Sequence, residues 1–283
     1  MTVEFTTDWL NFTITEMNNR VSTDCPYPNE NTWEVGKSGR GYDTTLTNDM
    51  GVRLSWHSER KDMGVHVQYS GGCLNRWREL TITPRLIAEY HHKRHDRCSR
   101  IDLAIDAKNE GLSILKLSVL VRKGKALTRT DKFSHIKSQD GGETLYLGSR
   151  TSEMFMRIYN KFAEQGSKPE HPVDWIRIEL ECKGERAKQI GVVLANRTDL
   201  DMALFARGLI KDFVDFPYLT WQRIVGDTPI HIGKSQEKSG KTREWLLETV
   251  APAMARYVSE TGDRAIIADF EAYLKVALGE QNS

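Results

Sequence analysis

Apolar and polar positions along the chain separate a strand-rich part from a helix-rich part. Residues 3–15 alternate and are rich in Phe, Thr, Val and Ile, which predicts an opening strand containing Trp9 and Leu10. Gly41 to Ser70 reads as short strands separated by turns, with Gly64–Ser70 the clearest. Pro84 opens a helix running to about His95, since proline suits an early helical position. Arg100–Asp106 predicts a strand and Leu112–Arg122 a helix. Glu143–Ser149 and Met154–Phe162 predict a hairpin turning at Arg150–Glu153, and Trp175–Lys183 a further strand. Residues 184–214 and 241–279 carry helical periodicity, with the polar loop Gly233–Gly240 between them. Strands first and helices last make this an α+β protein. We expect a mostly antiparallel, curved sheet with helices and a helical carboxy-terminal third.

Two of the strands pair an aliphatic face with a charged one. Side chains two apart on a strand share a face. Arg100, Asp102 and Asp106 therefore lie opposite Ile101, Leu103 and Ile105, and Arg177, Glu179 and Glu181 lie opposite Ile176, Ile178 and Leu180. Carboxylate clusters of this type suit hard cations such as Mg²⁺ or Mn²⁺. A single charged strand face is more often just the solvated side of an antiparallel sheet. Two of them flanking one hairpin shift the balance toward a site, although spacing does not decide which carboxylates touch metal.

That hairpin holds the candidate nucleophile. If Met154–Phe162 is extended, Phe155, Arg157, Tyr159 and Lys161 share a face opposite Met154, Met156 and Ile158. A phenol must lose its proton to attack phosphate, and nearby cations or a metal favour the phenolate. Arg157 and Lys161 are spaced to act from either side of Tyr159. A helical reading of residues 151–165 would instead pack Tyr159 beside Phe155 and Phe162. A strand tyrosine between basic residues is, taken alone, usually a cross-strand packing residue.

Composition narrows the classes. At 283 residues the chain can bury a substantial core as one large domain or two modest ones. Forty basic against thirty-nine acidic side chains leave no strong overall field, so any nucleic-acid contact must come from local clusters. No apolar run approaches membrane-spanning length, so no membrane partner is expected. The amino terminus lacks a basic region followed by an apolar stretch. Cysteines 25, 73, 98 and 182 form no CxxC pair and read as reduced thiols of a cytoplasmic protein. The Asn11-Phe-Thr sequon is then accidental.

Several motifs are weaker. His66 and His231 stand alone, so the pair of histidines separated by one apolar residue that binds metal in one class of nucleases is absent. His91-His-Lys-Arg-His95 suits the last turn of a helix, with phosphate contact through Lys93 and Arg94 the second reading. Gly233 to Thr242 ends like a phosphate-binding loop, but six residues separate its glycines where that motif needs four. Basic clusters at Arg76-Trp-Arg78, Lys93–Arg97, Arg122–Lys125 and Lys132 would together grip phosphates.

In order, Asp8-Trp-Leu with Phe12-Thr13, Arg100-Ile-Asp-Leu-Ala-Ile-Asp106, Glu143-Thr-Leu-Tyr-Leu-Gly-Ser-Arg150, Arg157-Ile-Tyr-Asn-Lys161 and Arg177-Ile-Glu-Leu-Glu181 resemble the Rep-trans replication initiation factors. These are rolling-circle initiators of plasmids and phages, with related conjugative relaxases. The resemblance covers about residues 1–215 and is sharpest from 100 to 185. It implies Tyr159 as the nucleophile toward DNA, Asp102, Glu179 and Glu181 as metal ligands, and Asp106 as a weaker candidate. It also implies Mg²⁺ or Mn²⁺, an origin-specific nick leaving the enzyme on the 5′ phosphate, a host helicase, and a homodimer. The helix-turn-helix domain that precedes this part in some relaxases has no room before Trp9.

The expectation is a nicking domain over 1–215 and a helical region over 216–283. Tyr159, Arg157 and Lys161 would do the chemistry on single-stranded DNA at a replication origin, and Arg100, Arg150, Arg177, Lys93 and Arg94 would hold DNA. The rivals are a conjugative relaxase with the same chemistry, a metal nuclease using water, and a DNA-binding module without activity.

Overall fold

The computed structural model describes residues 2–14, 33–39, 41–232 and 251–277. The expected loop Gly233–Gly240 and residues 241–250 and 278–279 of the expected helical stretch lie outside the described residues. The chain divides into two compact units, Met1–Lys234 and Ser235–Ser283.

In the first unit the strands are β1 (Thr2–Ile14), β2 (Trp33–Val35), β3 (Thr44–Asn48), β4 (Val52–Trp56), β5 (Val65–Tyr69), β6 (Arg97–Lys108), β7 (Leu127–Thr128), β8 (Phe133–Lys137), β9 (Glu143–Leu147), β10 (Met154–Asn160), β11 (Trp175–Lys183) and β12 (Val214–Asp215). The helices are α1 (Gly71–Glu79), α2 (Pro84–Lys93), α3 (Ile114–Arg122), α4 (Lys161–Glu164), α5 (Gly184–Asn196), α6 (Asp199–Phe213) and α7 (Leu219–Val225). Helix starts follow local chemistry. Ser70, Thr83, Ser113 and Thr198 each precede a helix and accept a hydrogen bond from the backbone N–H three residues on.

Among the described residues ten strands form one antiparallel sheet in the order β2-β3-β4-β5-β1-β6-β11-β10-β9-β8, and β12 pairs with β7 separately. The expected antiparallel pairing and the surrounding helices are present. The expected curvature is not: the sheet is open, neither curled nor closed, with β2 at one edge and β8 at the other. The outer strands are added by hairpins to the long central strands β1, β6 and β11, and nothing in that sequential pairing brings the two edges together.

The aliphatic faces read from the sequence are the core. Ile101, Leu103, Ile105, Ile178 and Leu180 are fully buried, as are Met156 and Ile158 on β10. They share one apolar cluster with Ala187, Ile190 and Leu194 of α5 and Met202, Phe205 and Leu209 of α6. Residues 154–160 are extended, which settles the hairpin against a helix; the strand ends at Asn160, and Lys161 begins α4.

The second unit contributes α8 (Ala251–Thr261) and α9 (Ala265–Ala277). Gly262 takes a left-handed φ of 71° after α8, and its N–H bonds the Val258 carbonyl at 2.9 Å, closing that helix. Among the described residues no helix is long and apolar enough to cross a membrane.

Candidate active site

Register brings the charged faces together. Glu181 lies directly opposite Asp102, Arg157 opposite Glu179, and Tyr159 opposite Arg177, which in turn faces Asp106. The charged face is not a solvated one. Asp102 and Glu179 are each 1 % exposed, and Asp106, Glu181 and Arg177 are buried. Buried carboxylates require partners, and guanidinium groups supply them. Arg100 donates to both oxygens of Asp102, at 2.8 and 2.6 Å, and also reaches Glu181 at 2.9 Å. Lys183 holds the other oxygen of Glu181 at 2.8 Å.

Tyr159 sits at the centre of a shared network. Its hydroxyl donates to Glu179 Oε2 at 3.2 Å, while Arg157 pairs with Glu179 Oε1. Arg157 and Lys161 each lie 5.8 Å from the Tyr159 ring centroid, on charge-bearing atoms. Lys161 also pairs with Glu164 at 2.7 Å. Asn160 caps α4 by accepting from the Ala163 N–H at 3.0 Å, which fixes the turn after the tyrosine.

A cavity of ≈ 450 Å³ opens over this group, lined among others by Asp8, Asp102, Arg157, Tyr159, Lys161 and Glu179. Of the carboxylates singled out in the sequence, Asp102 and Glu179 line it. Glu181 is held between Arg100 and Lys183. Asp106 accepts from Arg177 at 2.8 and 2.7 Å and from the Trp175 indole at 2.8 Å. Arg150 is exposed at the hairpin turn, its guanidinium 5.3 Å from the Phe155 ring centroid. Lys93 pairs with Glu89, and Arg94 lies over Tyr90, both at the end of α2 rather than in the cavity lining.

Two side chains of this network, Asp8 and Trp9, entered the sequence reading only through the opening motif and were given no role there. Asp8 is the extra residue of a β-bulge: Thr7 faces Leu103 and Trp9 faces Asp102, which leaves Asp8 unpaired in the ladder. Its carboxylate accepts from Arg177 at 2.7 Å, so β1 is tied to β11 across β6. Trp9 lies under the Arg100 guanidinium, 4.8 Å from its carbon. The sequence signal was the Asp-Trp pair in the first strand; alternation alone does not show the bulge that frees Asp8.

The electrostatics follow from burial. Burial pushes the Asp102 carboxyl up to about 7; Arg100 opposes this, and the charges of Glu179 and Glu181 add to it. Burial also raises the Tyr159 phenol well above its ordinary value, and the Glu179 charge raises it further, against Arg177. Burial works against the Arg177 charge, but Asp106 and Asp8 outweigh it and hold the guanidinium firmly protonated. For Glu181, burial is likewise outweighed, here by Lys183, Arg100 and Arg157, and its carboxyl is held below the usual range.

Among the described residues no three acidic, histidine or cysteine side chains converge as a ready-made metal cage. Mg²⁺ needs less, because it keeps several waters and takes one or two carboxylates together with substrate phosphate. Asp102 and Glu179 provide two hard oxygen donors in one cavity. Burial is the main cause of the raised Asp102 pKa, the charges of Glu179 and Glu181 adding less, and a cation beside the carboxyl would favour its ionised form.

The open antiparallel sheet with its helices has a counterpart among solved structures. The structure is similar to that of a rolling circle replication initiator protein from Geobacillus stearothermophilus, with a TM-score of 0.64, 22 % identity, and coverage of 82 % of this chain and 99 % of that one. The replication initiation factor model (Rep-trans) matches residues 97–274, and the chain belongs to that family. It is also 32 % identical over 182 residues to a Bacillus subtilis protein named "Putative DNA relaxase NicK", covering 55 % of this chain. The match spans about half of that relative, 51 % of its length.

Proposed function

We propose that the protein nicks one strand of DNA by tyrosine transesterification and so initiates rolling-circle replication of a phage, plasmid or other mobile element. The observation that carries this reading is the Tyr159 hydroxyl, 3.2 Å from Glu179 and in one cavity with Asp102, in a chain of the replication initiation factor family. Tyr159 Oη gives its proton to a base, Glu179 Oε2 being within reach, and bonds to phosphorus. The bond from phosphorus to the 3′ oxygen breaks, and that oxygen leaves as a 3′ hydroxyl after taking up a proton. The 5′ phosphate stays on Tyr159 as a diester, so the bond energy is kept and the strand can be rejoined.

Arg157 and Lys161 put positive charge beside the phosphate oxygens, where charge builds up in the transition state. Arg100, Arg150, Lys93 and Arg94 serve DNA binding, and Arg177 holds the floor of the site through Asp106 and Asp8. Mg²⁺ or Mn²⁺ would be held by Asp102 and Glu179, with Glu181 behind them and Asp106 further off, and would supply the cation that favours the phenolate. Residues 1–215 form the nicking domain on this reading and 216–283 a helical region. A host helicase opens the duplex from the nick, and the protein acts in the cytoplasm, self-associating as a dimer.

The test uses supercoiled DNA carrying the protein's own origin, with Mn²⁺ or Mg²⁺. Relaxed circles with protein on a 5′ end are expected, and none with Tyr159→Phe. Adducts persisting in that variant would move the nucleophile elsewhere; nicks without adduct would decide for attack by water. A conjugative relaxase with the same chemistry is the second reading, favoured by the identity to the Bacillus subtilis relative. A plasmid bearing the nicked sequence that is mobilised between cells without being replicated would select it.

A further inference from the structure

The polar face of the sheet does not end at the Tyr159 cavity. One row of directly opposed residues crosses five strands: Lys183 faces Arg100, Arg100 faces Asn11, Asn11 faces Gln68, and Gln68 faces Arg53. Opposed residues of antiparallel strands project to the same side. Beside this row runs a second one, Thr13, His66, Ser55 and Thr45. Side chains of both rows line a cavity of ≈ 320 Å³, whose wall also includes Trp9, a residue shared with the Tyr159 cavity.

The lining is built for a flat polar ligand. Tyr42 stacks on His66 with ring centroids 5.8 Å and planes 17° apart. The Thr45 and Ser55 hydroxyls bond each other at 2.9 Å and are buried. Gln68 is 8 % exposed, yet its side-chain amide hydrogen-bonds none of the described residues. An amide held in the cavity wall without a protein partner has its donor and acceptor free for a group that enters. Arg53 adds positive charge at the rim and is fixed there by the Lys37 carbonyl at 2.8 Å.

We propose that this second cavity seats an unpaired nucleobase of the DNA strand that passes through the Tyr159 cavity, read by the Gln68 amide. The proposal rests on the DNA-nicking reading and adds to it a base-specificity subsite. From Trp9 on β1 to β4 is two strand spacings, about 10 Å, a short reach for a strand held at the scissile phosphate. Adenine is the favoured base, because a glutamine amide matches its adjacent N6 donor and N7 acceptor. The aromatic rings supply stacking, which every base accepts.

The probes are fluorescein-labelled single-stranded dA12 and dT12, bound to the full chain carrying Tyr159→Phe and followed by anisotropy in Mg²⁺. The dA12 probe is expected to bind more tightly. Adding Gln68→Met should weaken dA12 about tenfold and leave dT12 within twofold. Equal affinity for the two probes, or equal loss on both, overturns the subsite, as does failure of either probe to bind. None of these results changes the covalent adduct made by Tyr159 on supercoiled DNA, so the two readings fail separately.

Discussion

Tyr159 and Arg157 divide one carboxylate between them: the phenol donates to Glu179 Oε2 at 3.2 Å, and the guanidinium pairs with Oε1. Glu179 therefore holds the phenol in place while its charge resists phenol ionisation. Glu179→Gln should split these effects. Removing the charge lowers the Tyr159 pKa, although burial, the larger cause, keeps it above the ordinary value. The rate of adduct formation should nevertheless fall about a hundredfold, because the variant loses both the proposed proton acceptor and one of the two carboxylates proposed to hold the metal. Ring-labelled tyrosine NMR reads the first quantity and a quenched nicking assay the second. A faster variant would mean that Glu179 only restrains the nucleophile.

Asp102 makes the second prediction, one of pH. Its carboxyl stays protonated up to about 7 in the folded chain but ionises near 3.8 when unfolded. Between those values the folded state binds more protons, so this group's contribution to stability falls as pH rises from about 4 to 7 and is level above that. Asp102→Asn removes the slope. In urea unfolding without divalent metal, the variant should gain on the wild type by about 1–3 kcal/mol between pH 5 and pH 8. An unchanged difference would mean that Arg100 keeps Asp102 ionised throughout. Nicking should drop sharply in the same variant, since Asp102 is one of the two carboxylates proposed to hold the metal.

How far the chain could be read depended on what each signal encodes. Period-two alternation placed Trp175–Lys183 at both ends and located β6 and β10, because one face of each is continuous aliphatic core. Alternation says nothing about what covers the other face. The burial of Asp102 and Glu179 depends on guanidinium groups from Arg100 and Arg157, and Arg157 lies on another strand. The helix Gly71–Glu79 was not anticipated, since its opening Gly-Gly is poor helix sequence; the Ser70 cap and the packing of Cys73, Leu74 and Trp77 decide it. His91 belonged to a tract read as a charged helix end. It is instead buried between the Tyr69 hydroxyl at 2.9 Å and Asp96 at 2.8 Å, and burial lowers its pKa against the pull of Asp96. Sheet curvature was expected and is absent, because local pattern carries no information on how hairpins accumulate across ten strands.

Packing beneath the site gives a third prediction. Gly191 lets α5 approach β6 so closely that a Cβ there would lie 2.5 Å from the Cys98 Cβ. That neighbouring atom is next to the backbone and has little freedom to yield. Gly191→Ala should therefore destabilise the fold by about 1–3 kcal/mol despite alanine's better helix propensity. Thermal unfolding measures it. At temperatures where the variant remains folded, adduct formation by Tyr159 should match the wild type, because α5 packs on the aliphatic side of the sheet.

Arg177 allows structure and chemistry to be separated. Its fork gives two bonds to Asp106 and a third to Asp8, and its charge favours the Tyr159 phenolate. Arg177→Met leaves two acidic groups without their cation, one of them deeply buried, and should cost about 3–5 kcal/mol in urea unfolding. It should also raise the phenol pKa further, opposite in sign to Glu179→Gln. Arg177→Lys keeps the charge but not the planar fork, so one ammonium cannot reproduce all three bonds. The lysine variant should lose part of that stability while its phenol titrates close to the wild type. If the lysine variant instead shifts the phenol as far as methionine does, Arg177 acts on Tyr159 through the geometry of the Asp106–Asp8 bridge and not through its charge.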